Sequence, residues 1–267
     1  MNRTLIEQNH HFISDGVNHD VFAISNKEKI PHEIVIGTNT NVDYILNDLN
    51  SNEIVNIILE DNSTLNLSLL LKNDTKNVKI NAKLNETCKL IFYCADFSIN
   101  NNNLEINVDL LGKASSLKWR LASLSAGNDK KEIRVNVNHL NEQTFAQVDN
   151  YGVSKDISKL LFAGTSYIAN GSHNSKTTQN AKIMEFDETS IAIAKPILKI
   201  DENDIEASHS AGVGKISDEH LFYLTSRGIT TIEARQLITL GYLKPVLNGF
   251  VDKEYQEEIL KLIERRL

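Results

Sequence analysis

One histidine is set apart by its neighbours. In "EASHSAGVGK" (206–215), His209 is crowded by Ala207, Ser208, Ser210, Ala211 and Gly212. Small neighbours let another backbone come close while the imidazole projects. A neutral imidazole can ligate iron or donate a hydrogen bond across an interface. Residue chemistry alone favours a turn or capping role for it. The two cysteines, Cys88 and Cys94, lie in apolar, strand-like sequence. Their spacing matches no common zinc or redox motif, so buried, inert thiols are expected. His139 ends the run "RVNVNHL" and is expected to bond a neighbouring coil. His173, in "NGSHNSKTTQN", reads as a solvated loop residue, and His220 as a helix-surface one. Asp201, Glu202 and Asp204 fall in a polar turn and read as solvated carboxylates. "SAGVGK" looks like a phosphate loop but lacks the four-residue spacer and a Ser or Thr after Lys215. No Walker A, G-x-G-x-x-G, H-E-x-x-H or G-x-S-x-G sequence occurs.

The elements that must position these groups are written in the hydrophobic period. From about Ile34 to Ile205 apolar residues alternate with polar ones, giving strand candidates at Ile54–Leu59 and Leu65–Leu70. "NVKINAKL", "CKLIFYCADFSI", "LEINVDLL", "SLKWRLASL" and "IRVNVNHL" continue the pattern without helices between them. That rhythm fits a sandwich, a barrel or a β-solenoid. Tight-hairpin dipeptides are nearly absent, and asparagine, which tolerates a left-handed backbone, fills the corners. Corners without hairpins favour the solenoid, although no strict repeat is visible. After Gly214 the texture becomes helical. Ser217 can cap "DEHLFYLTSR", which Gly228 ends. Thr230 and Glu233 form a capping box for a helix that Gly241 closes, and Asp252 can cap the last helix, whose apolar face is Tyr255, Ile259, Leu262 and Ile263. The expected division is an N-terminal arm or short lead-in over 1–33, a β-helix core over 34–214 and a C-terminal helical subdomain over 215–267.

Composition bounds the function classes. The chain has 267 residues, 41% hydrophobic and 24% charged, with a net charge of −7, ordinary for a globular protein. The acidic balance argues against general affinity for nucleic acid or anionic membrane. No apolar stretch approaches the ~20 residues that span a bilayer, and the N-terminus lacks the apolar stretch of a secretory signal. Two cysteines without a disulfide framework suggest a reducing cytoplasm.

The stretch "ASHSAGVGKISDEHLFYLTSRGITTIEARQLITLGYLKPVL" combines a small-His-small motif, a Val-Gly pair, an acidic helix and an alanine-bearing helix ending in glycine. It resembles the C-terminal signature of the SufB/SufD family of iron–sulfur cluster assembly scaffold proteins. Upstream, "VNVNHLNEQTFAQ", "FAGTSYIANGSHNSKTTQNAKI" and "AKPILKIDENDIEASH" resemble the family's later strands. The resemblance implies a right-handed parallel β-helix with a C-terminal α-helical subdomain and a non-catalytic scaffold role. It implies a SufC-like ABC ATPase docked on the C-terminal helices through Leu221, Phe222, Tyr223, Arg227 and Gly228. It also implies a SufB-like subunit paired with the last β-helix strands, and His209 at the cluster-assembly interface as a metal ligand shared with that partner. A transient iron–sulfur cluster would form on the assembled complex, with none held stably by the lone chain. SufB-like members carry a cysteine before the Pro-x-Leu-x-Ile strand and a Glu-His-Glu triplet. Here Ser190 and Ser208-His209-Ser210 stand near or at those positions, which favours a SufD-like member, and the family's helical N-terminal region is missing or reduced. Two alternatives stay open: a self-associating SufB/D homologue, a homodimer when isolated, and a carbohydrate-active β-helix enzyme using a row of carboxylates.

Overall fold

The computed structural model describes residues 4–7, 10–25, 30–74 and 76–267. The chain winds into a parallel β-solenoid of about six turns. One sheet holds, in spatial order, β1 (Thr4–Glu7), β2 (His10–Ile13), β4 (Glu33–Ile36), β6 (Ile54–Leu59), β8 (Val78–Leu84), β10 (Asn101–Leu110), β12 (Lys130–His139), β14 (Lys159–Ile168) and β16 (Ile191–Ile200). The other holds β3 (Asn18–Ser25), β5 (Asn41–Asn47), β7 (Thr64–Leu71), β9 (Lys89–Asp96), β11 (Ser116–Ser125), β13 (Phe145–Ser154), β15 (Ser175–Glu185) and β17 (Ile205–Lys215). Among the described residues the only antiparallel pairing is β1 with β2. The first residues therefore supply strands, with β2 pairing β4 and β3 pairing β5.

The coils turn on a column of left-handed residues. Asn39, Asn62, Thr87, Ala114, Gln143 and Asn174 all have φ between 54° and 59°. Each donates its N–H to a carbonyl one coil further on: Asp61, Glu86, Lys113, Glu142, His173 and Asp204, at 2.7–3.1 Å. The positions are separated by 23, 25, 27, 29 and 31 residues, so each coil is two residues longer than the one before. On the other sheet the offsets between paired strands are 23, 25, 26, 29, 29 and 32 residues, and the connecting loops absorb the differences so that inward side chains stay paired with inward ones. Coils that lengthen along the chain have no fixed repeat, which is why none is visible in the sequence.

The residue after each corner points inward. Thr40, Ser63, Cys88, Ser115, Thr144 and Ser175 form a buried column whose first five carbonyls accept an N–H at the start of the next coil's strand. Cys88 occupies a hydroxyl's place there, with Sγ 3.0 Å from the Glu60 carbonyl. Asparagine does more than turn corners. Asn56, Asn81, Asn107 and Asn136 join side chain to side chain across four strands at 2.9–3.1 Å, on the outer face of their sheet. Inside, Tyr44, Leu67, Phe92, Trp119 and Val148 stack as one buried row. Burying each large side chain is worth ~1.5–3 kcal/mol.

Three helices follow: α1 (Asp218–Thr225), α2 (Thr231–Leu243) and α3 (Lys253–Arg266), with a 3-10 turn over Lys244–Gly249. Ser217, Thr230 with Glu233, and Asp252 cap them as expected. Gly241 does not close α2. The helix runs on to Leu243, which is buried, and stops before Pro245, which has no N–H to continue it. The layer packs on the outer face of the second sheet, joining Leu70, Phe97, Leu124 and Val153 to Leu243, Phe250, Ile259 and Ile263. Gly249 lies against Tyr93 so closely that a Cβ would overlap the ring, and its carbonyl accepts the Ser68 hydroxyl. Beneath this junction Lys131 and Asp96 form an ion pair at 3.1 Å with neither side chain exposed. Burial draws the Lys131 amine down to about 8. Burial alone would raise the Asp96 carboxyl, yet Lys131 and the hydroxyls of Ser98 and Ser123 hold it below its usual value. Arg266, at the end of α3, donates to the Phe97 and Ser98 carbonyls and pairs with Asp129. Nothing in the Lys130-Lys131 dipeptide announces that its second member is internal.

Two stability predictions follow from the corners and the interior. Ala114→Val puts a β-branched residue at a left-handed corner and should cost about 1–3 kcal/mol in urea denaturation, whereas Ala114→Gly should not lower stability. His139 is buried with Nδ1 2.8 Å from Thr144 Oγ1, and burial lowers its pKa from 6.5 to about 4. The unfolded chain then takes up a proton that the folded chain refuses. Stability from this group is full above pH 6.5 and declines as the pH falls toward 4, by up to about 3 kcal/mol. His139→Leu should flatten that part of the stability–pH curve.

Candidate functional site

The solenoid ends with two strands that have no coil above them. β16 and β17 are the last members of their sheets, each pairing, among the described residues, with only one strand and neither burying a residue. Ile191, Ile193, Ile197 and Val213 are exposed there. His209 is not in a turn. It sits mid-strand in β17, in register with Gln179 of β15. Thr177, Gln179, Ala181 and Ile183 face the interior, and strand alternation continues that row as Ala207, His209, Ala211 and Val213. With no further coil to cover it, His209 stays exposed. The small neighbours do not answer crowding within this chain, since a Cβ at Gly212 or Gly214 would meet nothing.

The outer face of β17 is tied to β15, and the inner face of β15 is tied to the opposite sheet. On the outer face Ser210 Oγ donates to Asn180 Oδ1 at 2.7 Å, Asn180 Nδ2 donates to Asp149 Oδ1 at 2.8 Å, and Arg120 lies 3.6 Å from Asp149. On the inner face Gln179, 4% exposed, sends Nε2 to Ser166 Oγ at 2.5 Å and to the Ile197 carbonyl at 3.3 Å. Thr177 donates to the same Ser166 oxygen at 3.1 Å. Sequence reasoning passed over Gln179, Ser166 and Thr177; polar residues at inward positions of the alternation were the available signal.

The helical residues singled out by sequence form a separate surface. Phe222 is 73% exposed and Tyr223 53%. The Arg227 guanidinium lies 4.3 Å above the Tyr223 ring, and Gly228 ends the segment at φ 87°. Leu221 turns inward against the helical core. Ile232 and Leu237 of α2 are also exposed, so α1 and α2 leave apolar side chains without an intramolecular partner. His220 is exposed, as expected.

The other candidates resolve into structural roles. Cys88 and Cys94 are buried and unbridged, and burial raises both thiols, Cys94 the more strongly with Asp96 nearby. Ser190 is a buried corner residue donating to the Asp187 carbonyl at 2.8 Å. Glu202 is not simply solvated. It accepts the N–H groups of Asp204, Gly171 and Asn203, which hold its carboxyl below the usual value. His173 Nδ1 lies 3.3 Å from Glu202, so it too has a partner. Outward carboxylates on the strands are engaged as well: Glu105 with Lys79, Asp109 with Asn138 and Glu132 with Arg134. A cleft of about 520 Å³ between α3 and the early strands of the second sheet is lined by Lys72, Asp252, Glu254, Tyr255 and Glu258 and contains none of the candidate site residues. Among the described residues no group of three or more His, Cys, Asp or Glu side chains could hold a metal ion, and no helix is long and apolar enough to cross a membrane.

The sequence has known relatives. Similar proteins include the iron–sulfur cluster assembly protein SufD of Bacillus subtilis, 28% identical over 163 residues, covering 61% of this chain and 37% of that protein. SufB of the same organism is 29% identical over 126 residues, covering 47% of this chain and 27% of that protein. An iron–sulfur cluster assembly SufBD family protein of Mycobacterium bovis is 28% identical over 143 residues, covering 53% of this chain and 17% of its own length. The matched part of the chain thus spans about a third of the SufD relative and less of the others. The SufBD core domain of SUF-system FeS cluster assembly matches residues 22–242, and the chain belongs to that family.

Proposed function

We propose that this chain is a SufD-like, non-catalytic scaffold subunit on which nascent iron–sulfur clusters are assembled together with a SufB-like partner and a SufC-like ATPase. The observation that carries the reading is His209, exposed on the inward row of a final coil whose two strand edges are both unpaired. A partner strand added to either edge continues a sheet by backbone hydrogen bonds alone. That addition brings the partner's side chains up to His209, where a partner thiolate and this imidazole form a mixed site with open positions for incoming iron and sulfide. The cluster is cargo, and the lone chain, with both thiols protonated inside the core, keeps none. The SufD match covers more of the chain than the SufB match, 61% against 47%, and Ser190 leaves no thiol near the position of the SufB-like cysteine.

The α1–α2 surface is the dock for the ATPase, with Phe222 and Tyr223 as aromatic anchors and Arg227 stacked behind them. Aromatic and arginine side chains carry most of the binding energy at such interfaces. In the isolated chain the same free strand edges accept a second copy, giving a homodimer that the SufB-like partner displaces. We place the complex in the cytoplasm, where two unbridged cysteines are at home.

Two measurements test this reading. Because the helices share a core with the second sheet, surface substitution is the informative change. Phe222→Asp with Tyr223→Asp should weaken binding to a SufC-like ATPase by at least ~30-fold, with the melting temperature retained. Unchanged affinity by calorimetry would remove the dock. His209→Ala should shift stability by less than ~0.5 kcal/mol and leave complex assembly on gel filtration intact. It should also slow cluster transfer to an apo-ferredoxin; wild-type transfer rates would return His209 to a purely structural role.

A further inference from the structure

We propose that Gln179 is a positioning residue for His209: with the exposed ring turned toward it, the Gln179 carboxamide oxygen, which takes no hydrogen bond in this conformation, accepts an imidazole N–H and holds the ring in one neutral tautomer. The other ring nitrogen is then left free as a ligand. The inference rests on the scaffold reading only for its functional consequence.

The interior row on which His209 stands is apolar or aromatic through Leu67, Phe92, Trp119 and Val148, and changes character at Gln179. A buried carboxamide is costly unless its polar atoms are bonded. The nitrogen is provided for by Ser166 Oγ and the Ile197 carbonyl. A carbonyl can only accept, so the end of the amide that faces Ile197 is the nitrogen, and the amide orientation is fixed. Among the described residues the oxygen accepts no hydrogen bond. The next residue on that face is His209, in register one strand further on. Paired strands lie about 4.8 Å apart, within reach of an amide oxygen and an imidazole N–H on facing side chains. Ala207 and Ala211, the same-face neighbours of His209 within β17, carry no polar side-chain atom and leave room for the ring. Thr177, beside Gln179, spends its hydroxyl on Ser166.

The arrangement supplies what an exposed histidine lacks. A free imidazole exchanges between tautomers and swings about two side-chain bonds. A ligating histidine is ordinarily fixed by an acceptor on its second nitrogen, and loss of such an acceptor costs roughly 10–100-fold in metal affinity or activity. Here the acceptor is itself immobilised by two bonds to the opposite sheet, so imidazole orientation is set by the interior of the coil below before any partner arrives.

The test is made on the intact chain labelled with ¹⁵N-histidine, at a pH where the imidazole is neutral. His209→Gln identifies the ring signals. In the wild type the long-range ¹H–¹⁵N pattern of His209 should show one protonated and one bare nitrogen. In Gln179→Met, which keeps the volume and removes the acceptor, both nitrogens should move toward averaged shifts. Identical patterns in wild type and Gln179→Met would overturn the proposal. If Gln179→Met does not fold, Ser166→Ala carries the test: it frees the carboxamide nitrogen, so partial averaging supports the proposal and an unchanged pattern overturns it. In the reconstituted complex Gln179→Met should slow cluster transfer by ~10-fold or more. A fixed tautomer together with normal transfer by His209→Ala would leave this hydrogen bond standing and sink the functional reading of His209. An unfixed tautomer together with impaired His209→Ala would do the reverse.

Discussion

A chain that coils with one side of every strand inside must close each coil against the corner of the next. The left-handed corners at Asn39, Asn62, Thr87, Ala114, Gln143 and Asn174 obey that constraint without exception, and most of the molecule follows from it. Each corner N–H is bound by the next coil, so no corner can move without its neighbour. Each inward small residue after the corner falls in register with the last, building one polar column. Strands grow from four residues in β4 to ten in β10 and beyond, and the interior accommodates wider coils with Phe92, Trp119 and Phe162. Where two backbones come closest inside, Gly164 leaves room for the Val135 carbonyl that any Cβ would strike.

The same constraint explains what was legible in the sequence and what was not. Alternation within a strand survives any change of coil length, so the strands could be read one by one, and Ile54–Leu59 is recovered to the residue. The repeat could not be read, because the spacing between corners drifts from 23 to 31 residues. Asparagine is the expected corner residue and does hold positions 39, 62 and 174, but Thr87, Ala114 and Gln143 hold the same conformation with side chains that ordinarily avoid it. There the lattice of inter-coil bonds overrides local preference. The asparagine ladder over β6, β8, β10 and β12 was hidden for a related reason: cross-strand partners about 25 to 29 residues apart look unrelated until the coil length is known. Helix ends were legible from their caps, except where Gly241 suggested an end that core packing of Leu243 carries past.

At the candidate site the limits were different in kind. His209 stood out by its neighbours, yet the chemistry of a lone histidine beside serines and glycines fits a turn as well as a strand. Its register partner Gln179 and the Ser166 that Gln179 bonds lie 30 and 43 positions upstream, and no local pattern joins them to it. Phe222 and Tyr223 were legible as aromatic residues in a helix, but their exposure depends on how α1 and α2 lean against the second sheet. The Lys131–Asp96 pair was invisible for the same reason, since only the coil geometry brings those strands together around a dry interior.

The unfinished end of the solenoid is where stability and function make opposite demands. A β-solenoid gains by covering its last coil, because open edges and uncovered apolar residues invite uncontrolled pairing. This chain leaves both edges open and the isoleucines of β16 exposed, while securing β17 from its outer face through Ser210, Asn180, Asp149 and Arg120. A strand held on one face and free at one edge can accept another sheet without rearranging. Rigid placement of reacting groups before association lowers the ordering cost that association would otherwise meet. An end built for self-sufficiency would carry leucine at 179 and a capping helix over 209; the polar floor and the bare strand instead suit an interior that is completed by another chain.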